Sequence, residues 1–272
     1  GDFEEAARAS QRIGTIYERT GDLDIAEHHY EDGLRFAREA ANRELVSEML
    51  SAVGGAHILL GDHEDAGREC REALSLAERV DSSRGQAMAT NCIGEVEYHL
   101  GNLEEAISYY HQAEDLWRAA GDRAGVAQTL LYLGFSYSDL SEFDRASSYY
   151  RDALSLWKLV QDRRGLALTL LASGRLHLRL GEHQIALNAF DEAMQLVESM
   201  GDSVWQASVY AGLGSVYSHM GENERARVYW DRSLNLFRKA GLQMAEVEVM
   251  QSVGETYLAS GEPDEALTHF EE

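Results

Sequence analysis

Seven glycines stand 40 residues apart: Gly14, Gly54, Gly94, Gly134, Gly174, Gly214 and Gly254. Glycine inside a helix costs roughly 1 kcal/mol relative to alanine, so a glycine kept at seven equivalent places must serve packing. Three more ladders run at the same period. One is Gly21, Gly61, Gly101, Gly181, Gly221 and Gly261, with Ser141 in the missing place. Another is Ala26, Ala66, Ala106, Ala146, Ala186, Ala226 and Ala266. The last is large and mostly aromatic: Tyr30, Tyr110, Tyr150, Phe190, Trp230 and Phe270, with Cys70 as the exception. A fixed period of this length marks a repeat architecture, in which each unit has an apolar face that only a neighbour can cover.

Each unit reads as two helices. Val126, Ala127, Leu130, Leu133 and Tyr137 fall at helical spacing, and so do Phe143, Ala146, Tyr150, Ala153, Leu154 and Trp157. Gly121 and Gly201 each follow one helix and precede an aspartate. Glycine suits the left-handed residue that closes a helix, and aspartate suits the N-cap of the next. Acidic residues crowd the starts of second helices, as in Gly101-Asn-Leu-Glu-Glu-Ala106, where they meet the positive end of the helix dipole. The mid-helix glycines are expected to let the paired helix approach closely, with the aromatic ladder filling the space between.

Leu130, Leu133, Gly134, Tyr137, Ala146, Tyr150 and Ala153 follow a known order: apolar residue, Leu-Gly and Tyr in the first helix, then Ala, aromatic and Ala in the second. The pattern resembles the tetratricopeptide repeat family. It departs from the family in its longer period, the usual being about 34 residues, and in lacking the proline that ends the second helix. Repeats of this length are similar to those of Pins-type adaptors, MalT-like regulators and the repeat arms of caspase-like proteases. The resemblance implies an all-α fold, a right-handed superhelical solenoid of antiparallel helix pairs, with the first helices lining the concave side. It implies one solenoid over 1–272 with about seven repeats: 1–40, 41–80, 81–120, 121–160, 161–200, 201–240 and a truncated 241–272.

Composition narrows the function. Against 24 Lys plus Arg stand 47 Asp plus Glu, a net charge of −23. Phosphate-based nucleic-acid binding needs a concentrated basic surface, so no nucleic-acid partner is expected. No apolar run reaches the ~18 residues of a membrane span, so no membrane partner is expected. Cys70 and Cys92 have no metal-ligand spacing and do not read as a disulfide framework, Cys70 being a core position and Cys92, nearer the concave side, an inert thiol, which favours a reducing, cytoplasmic setting. No phosphate-binding loop, nucleophile elbow or zinc motif sits in the right context. His57 and His177 share a register with Tyr137 and Tyr217 and read as packed rings. No enzyme activity, cofactor or metal is expected.

Function should lie where the ladders do not. By resemblance, the second face of the first helices is the groove, and the variable residues there are the partner-binding candidates: Asn91, Glu95, Gln128, Leu131, Tyr132, Phe135, Leu168, Leu171, Arg175, Arg179, Ser208 and His219. Leu131, Phe135, Leu168 and Leu171 would make an apolar centre with a polar and charged rim, the anatomy of a binding hot spot. The competing reading buries these residues against the next repeat. Trp205 occupies a register that holds Gly85, Gly125 and Gly165, and local repacking is expected there, the alternative being an exposed anchor.

The chain is expected to be a non-catalytic interaction module that binds a protein or peptide segment in its concave groove. The alternative is a regulatory or sensor arm for an attached effector: a caspase-like protease, an NTPase or a transcription regulator. The chain is expected to be excised from a longer protein, because its last repeat stops early and Ala6, Ala7, Ile13 and Tyr17 have no preceding helix to cover them. Self-association through uncapped ends is the corollary.

Overall fold

The computed structural model describes residues 1–259, 261, 263, 266 and 267. The described residues contain thirteen helices and no strand, so the fold is all-α. The chain forms two compact units, Gly1–Glu142 and Phe143–Glu272. The first contains α1 (Asp2–Thr20), α2 (Leu23–Glu39), α3 (Arg43–Leu60), α4 (His63–Arg79), α5 (Ser83–His99), α6 (Leu103–Ala120) and α7 (Arg123–Asp139). The second contains α8 (Phe143–Val160), α9 (Arg163–Arg179), α10 (His183–Met200), α11 (Ser203–His219), α12 (Asn223–Ala240) and α13 (Gln243–Ala259). The boundary between units falls within the expected fourth repeat, between α7 and α8. Phe270, expected to end the aromatic ladder, lies outside the described residues.

Within each unit the helices are layered. In the first, α1, α3, α5 and α7 touch in succession, whereas α2, α4 and α6 do not touch one another. In the second, α9, α11 and α13 touch in succession, whereas α8, α10 and α12 do not. First helices therefore form a tight inner layer and second helices a splayed outer one, which leaves each unit a concave face lined by first helices.

The glycine ladder makes this packing possible. A Cβ placed on Gly94 would lie 2.7 Å from the Tyr110 ring, one on Gly14 2.7 Å from the Tyr30 ring, one on Gly174 2.8 Å from the Phe190 ring and one on Gly214 2.6 Å from the Trp230 ring. No side chain fits at those distances. The rings are at most 3 % exposed, and Ala26, Ala66, Ala106, Ala186 and Ala226 are 0 % exposed.

The helix junctions follow two chemistries. At the starts of first helices the expected caps form: the Asp122 carboxylate accepts from the Ala124 and Gly125 N–H groups, and Asp202 accepts from Trp205 N–H. Asn42, Ser82 and Asp162 cap α3, α5 and α9 in the same way. Within a pair, the turn is closed by a left-handed residue. Gly101 has φ +82° and Gly181 +73°, and Ser141, which fills the missing place in that ladder, is driven to φ 61°.

Two register swaps vary the theme. A Cβ on Gly125 would collide with the Trp117 ring at 2.3 Å, and one on Gly165 with Trp157 at 2.5 Å. In the next repeat the small and large residues change places. Val197 is 0 % exposed, and Trp205 packs against the same cluster, with the Arg164 guanidinium 4.6 Å from its ring centre. Repacking is therefore the correct account of Trp205. The second swap overturns an expectation. Cys70 and Cys92 are joined by a disulfide, not separate thiols. Their registers are those of Tyr110 and Tyr132, whose rings stack 5.4 Å apart one repeat later. The cysteines thus replace a ring pair by a covalent bond, and the cysteine count no longer argues for a reducing compartment.

Two measurements test this packing. Gly94→Ala should destabilise the protein by about 2 kcal/mol, the usual scale of overpacking, read from chemical denaturation; an unchanged midpoint would show that the ring can move aside. Without reductant the denatured chain should contain no titratable thiol. Reduction should lower the unfolding free energy by about 3 kcal/mol, as expected for releasing a loop of this length.

Candidate functional site

The concave face of the first unit brings together five of the twelve candidates. Asn91 and Glu95 lie one turn apart on α5, and Gln128, Tyr132 and Phe135 form a stripe on α7. All five are half-buried. Thr129 donates its hydroxyl to Asn91 Oδ1 at 3.0 Å, tying the two helices together. The Tyr132 hydroxyl lies beside Glu95 and Gln128, and both act on its ionisation. The Tyr132 ring stacks on Tyr110 and lies 6.5 Å, tilted, from Phe135. One turn on, Tyr98 donates to Asp139 Oδ2 at 2.6 Å.

The electrostatics single out Glu95. Burial pushes its carboxyl from 4.5 up to about 7; the Tyr132 hydroxyl opposes this and the Glu18 carboxylate adds to it. Glu48 differs: burial raises its carboxyl too, but Arg8, 3.8 Å away, and Arg84 oppose the rise. Tyr132 is held well above its ordinary range by burial and then by the neighbouring Glu95.

Two candidates are corrected. Leu131 is 0 % exposed and Leu171 4 % exposed, so neither offers an apolar surface to a partner. For Leu171 the physical reason is the seam between consecutive first helices: it packs in a cluster with Val209 and Leu213 of the next repeat. Asn91 holds the same register and bonds across to Thr129 of the next repeat. Of the other two residues of the expected apolar centre, Phe135 in the first unit and Leu168 in the second are each half-buried.

In the second unit the remaining candidates engage near neighbours. Arg179 places its guanidinium 4.8 Å from the Phe143 ring centre. His219 meets the His183 ring edge-on at 6.2 Å. The Ser208 hydroxyl donates back to the Val204 carbonyl at 3.3 Å. Arg175 is exposed.

Sequence reasoning missed a triad built on a buried histidine. His57, 8 % exposed, packs as expected, but its ring is held between two carboxylates, Glu69 on Nδ1 and Glu27 on Nε2, each at 2.8 Å. Burial alone would lower the His57 pKa; the two carboxylates together outweigh it and raise it. The signal was an acidic residue in the registers flanking the histidine on both neighbouring helices. Among the described residues, no group of three His, Cys, Asp or Glu is placed to hold a metal ion. No helix among them is long and apolar enough to cross a membrane.

A pH dependence follows. Glu95, Glu48, Glu69 and His57 all have raised pKa values in the folded state, so the fold binds their protons more tightly than the unfolded chain does. Their contribution is full below the unfolded pKa and lost as pH rises through the folded one. His99, lowered by burial and by His63, acts in the opposite sense. The melting temperature should fall as pH rises from about 5 to 8. Glu95→Gln should flatten the part between 4.5 and about 7. Parallel curves for the two proteins would contradict the assignment.

Comparison with known proteins agrees with this architecture. Tetratricopeptide repeat profiles match residues 85–159, 126–199, 165–239, 205–272 and, in a second form, 7–39. No curated protein sequence matches the chain. Among solved structures, it is similar to the Rap conjugation gene regulator of plasmid pLS20 in complex with the Phr* peptide, with TM-score 0.78, 16 % identity and coverage of 96 % of this chain and 71 % of that one. It is similar to the apo quorum sensor NprR from B. thuringiensis, with TM-score 0.74, 16 % identity and coverage of 96 % and 73 %. It is also similar to a signal-transduction ATPase with numerous domains from Pyrococcus horikoshii that carries a tetratricopeptide repeat sensor, with TM-score 0.68, 16 % identity and coverage of 96 % and 42 %. At these identities the likeness concerns the fold. The profile matches extend over most of the 40-residue units, and the chain belongs to the tetratricopeptide repeat family.

Proposed function

We propose that this chain is a non-catalytic interaction module that takes a peptide segment of a partner protein on the concave face of its first helices. The observation that carries the reading is the surface shared by α5 and α7 in the first unit. There Asn91, Glu95, Gln128, Tyr132 and Phe135 present hydrogen-bonding groups around partly accessible rings. Ladder residues of the same helices are buried. A rigid aromatic beside polar groups is the composition of an interface hot spot. The pLS20 Rap regulator, which shares the fold, was solved with a peptide bound, which supports a peptide as the partner class. The sensor role named for the Pyrococcus horikoshii protein supports the second reading, in which the same face controls an attached effector. The two readings share one binding mechanism.

A phage-displayed dodecapeptide library passed over the immobilised protein tests this. Selected peptides should lose about 2 kcal/mol or more of binding to Phe135→Ala while the melting temperature changes little. Leu171→Ala should behave in the opposite way, lowering stability by about 2–5 kcal/mol and sparing peptide binding. Peptides that bind Phe135→Ala and the parent equally would refute the proposed face.

A further inference from the structure

We propose that Glu95, with the Tyr132 and Phe135 rings beside it, is the receptor for one cationic group of the bound segment: a lysine or arginine side chain, or a free amino terminus. The inference deepens the reading above and rests on it.

Three observations converge. First, Glu95 is a half-buried carboxylate on the concave layer, and the group beside it that favours its charged form is the neutral Tyr132 hydroxyl. Burying a carboxylate without a counter-ion is costly. The neighbouring groove carboxylate Glu48 has Arg8 within 3.8 Å, whereas the charge acting on Glu95 is a second carboxylate, Glu18. The charge named as acting on Glu95 is therefore negative. Second, two rings stand on the facing stretch of α7: Tyr132, on which Glu95 acts, and Phe135, 6.5 Å from it. An aromatic face attracts an ammonium or guanidinium, most strongly where water is excluded, so carboxylate and rings favour the same ligand charge. Third, the site is held in place. Tyr132 is stacked on the buried Tyr110 ring. Little ordering is left for the ligand to pay for.

The ligand chemistry follows. An arriving cation ionises Glu95 fully and forms a charge-assisted hydrogen bond with it, the stronger kind, while its flank rests on a ring. An anionic or neutral group gains neither contact. The raised pKa of Glu95 at about 7 is consistent with a carboxyl whose counter-ion comes from outside.

The first experiment uses a fragment. The isotopically labelled protein is titrated with butylammonium chloride, 1-butanol and sodium butyrate in separate series while the ring signals of Tyr132 and Phe135 are followed. Butylammonium alone should give saturable shifts, and Glu95→Gln should weaken its affinity at least about tenfold. Shifts of equal size with 1-butanol, unchanged affinity in Glu95→Gln, or no saturable response to butylammonium would each overturn the proposal. The second arm uses peptides from the library selection that depend on Phe135. They should carry a basic side chain, or lose binding when their amino terminus is acetylated, which separates the two sources of charge. Phe135-dependent peptides with neither property would overturn this inference and leave the peptide-binding reading intact. A library that yields no Phe135-dependent peptide would count against that reading instead, and the butylammonium titration would then decide this inference alone.

Discussion

The contact on which the structure rests is an aromatic ring laid on a glycine of the paired helix. Tyr110 on Gly94, Phe190 on Gly174 and Trp230 on Gly214 leave no room for a Cβ at the glycine. The ring is rigid and large, so it loses little side-chain freedom and buries much area. The glycine supplies the close approach that lets the ring do so. Helix propensity is sacrificed at each repeat, and the return is a helix pair of fixed geometry. Once the pair is fixed, the apolar flank it leaves has one solution, the next pair, which is how a one-dimensional array propagates.

The layering then decides what remains for recognition. First helices touch one another and second helices do not, so the inner layer carries two kinds of outward register. One is the seam between neighbours, where Leu171 is covered and Asn91 bonds across to Thr129. The other, one turn along, faces the concavity, where Glu95, Phe135 and Arg175 differ from repeat to repeat. The two registers are one turn apart, about 40° of helix rotation, and that small rotation separates a covered side chain from one that faces the concavity.

The disulfide shows how tolerant the inner contact is to chemistry and how strict it is in position. The same two registers hold a Cys70–Cys92 bond in one repeat, the Tyr110–Tyr132 stack in the next, and Phe190 against Gly212 further on, where a Cβ would be 2.5 Å from the ring. Each solution fills one gap between a second helix and the following first helix. The 22-residue separation of the cysteines is the spacing of that contact, so a pairing that looks arbitrary in the sequence is the repeat geometry restated.

Much of this was legible from residues alone. The ladders at Gly14, Ala26 and Tyr30 determine an all-α repeat fold, because only helix pairs stacked at one period need small and large residues at those fixed places. The caps at Asp122 and Asp202 and the closing glycines could be read for the same reason: their chemistry is local. The candidate site was half legible. Glu95, Gln128, Tyr132 and Phe135 could be assigned to one helix face by spacing, but exposure depends on which neighbour covers that face. Leu131 and Leu171 were therefore misplaced, and the sulfur bond and the Glu27–His57–Glu69 triad were missed, since each joins residues from different helices. The sequence by itself determined the unit, its period and its turns, which arise from interactions within a few residues. Tertiary structure alone decided which register becomes seam and which becomes groove, because burial belongs to the packed neighbour and not to the residue.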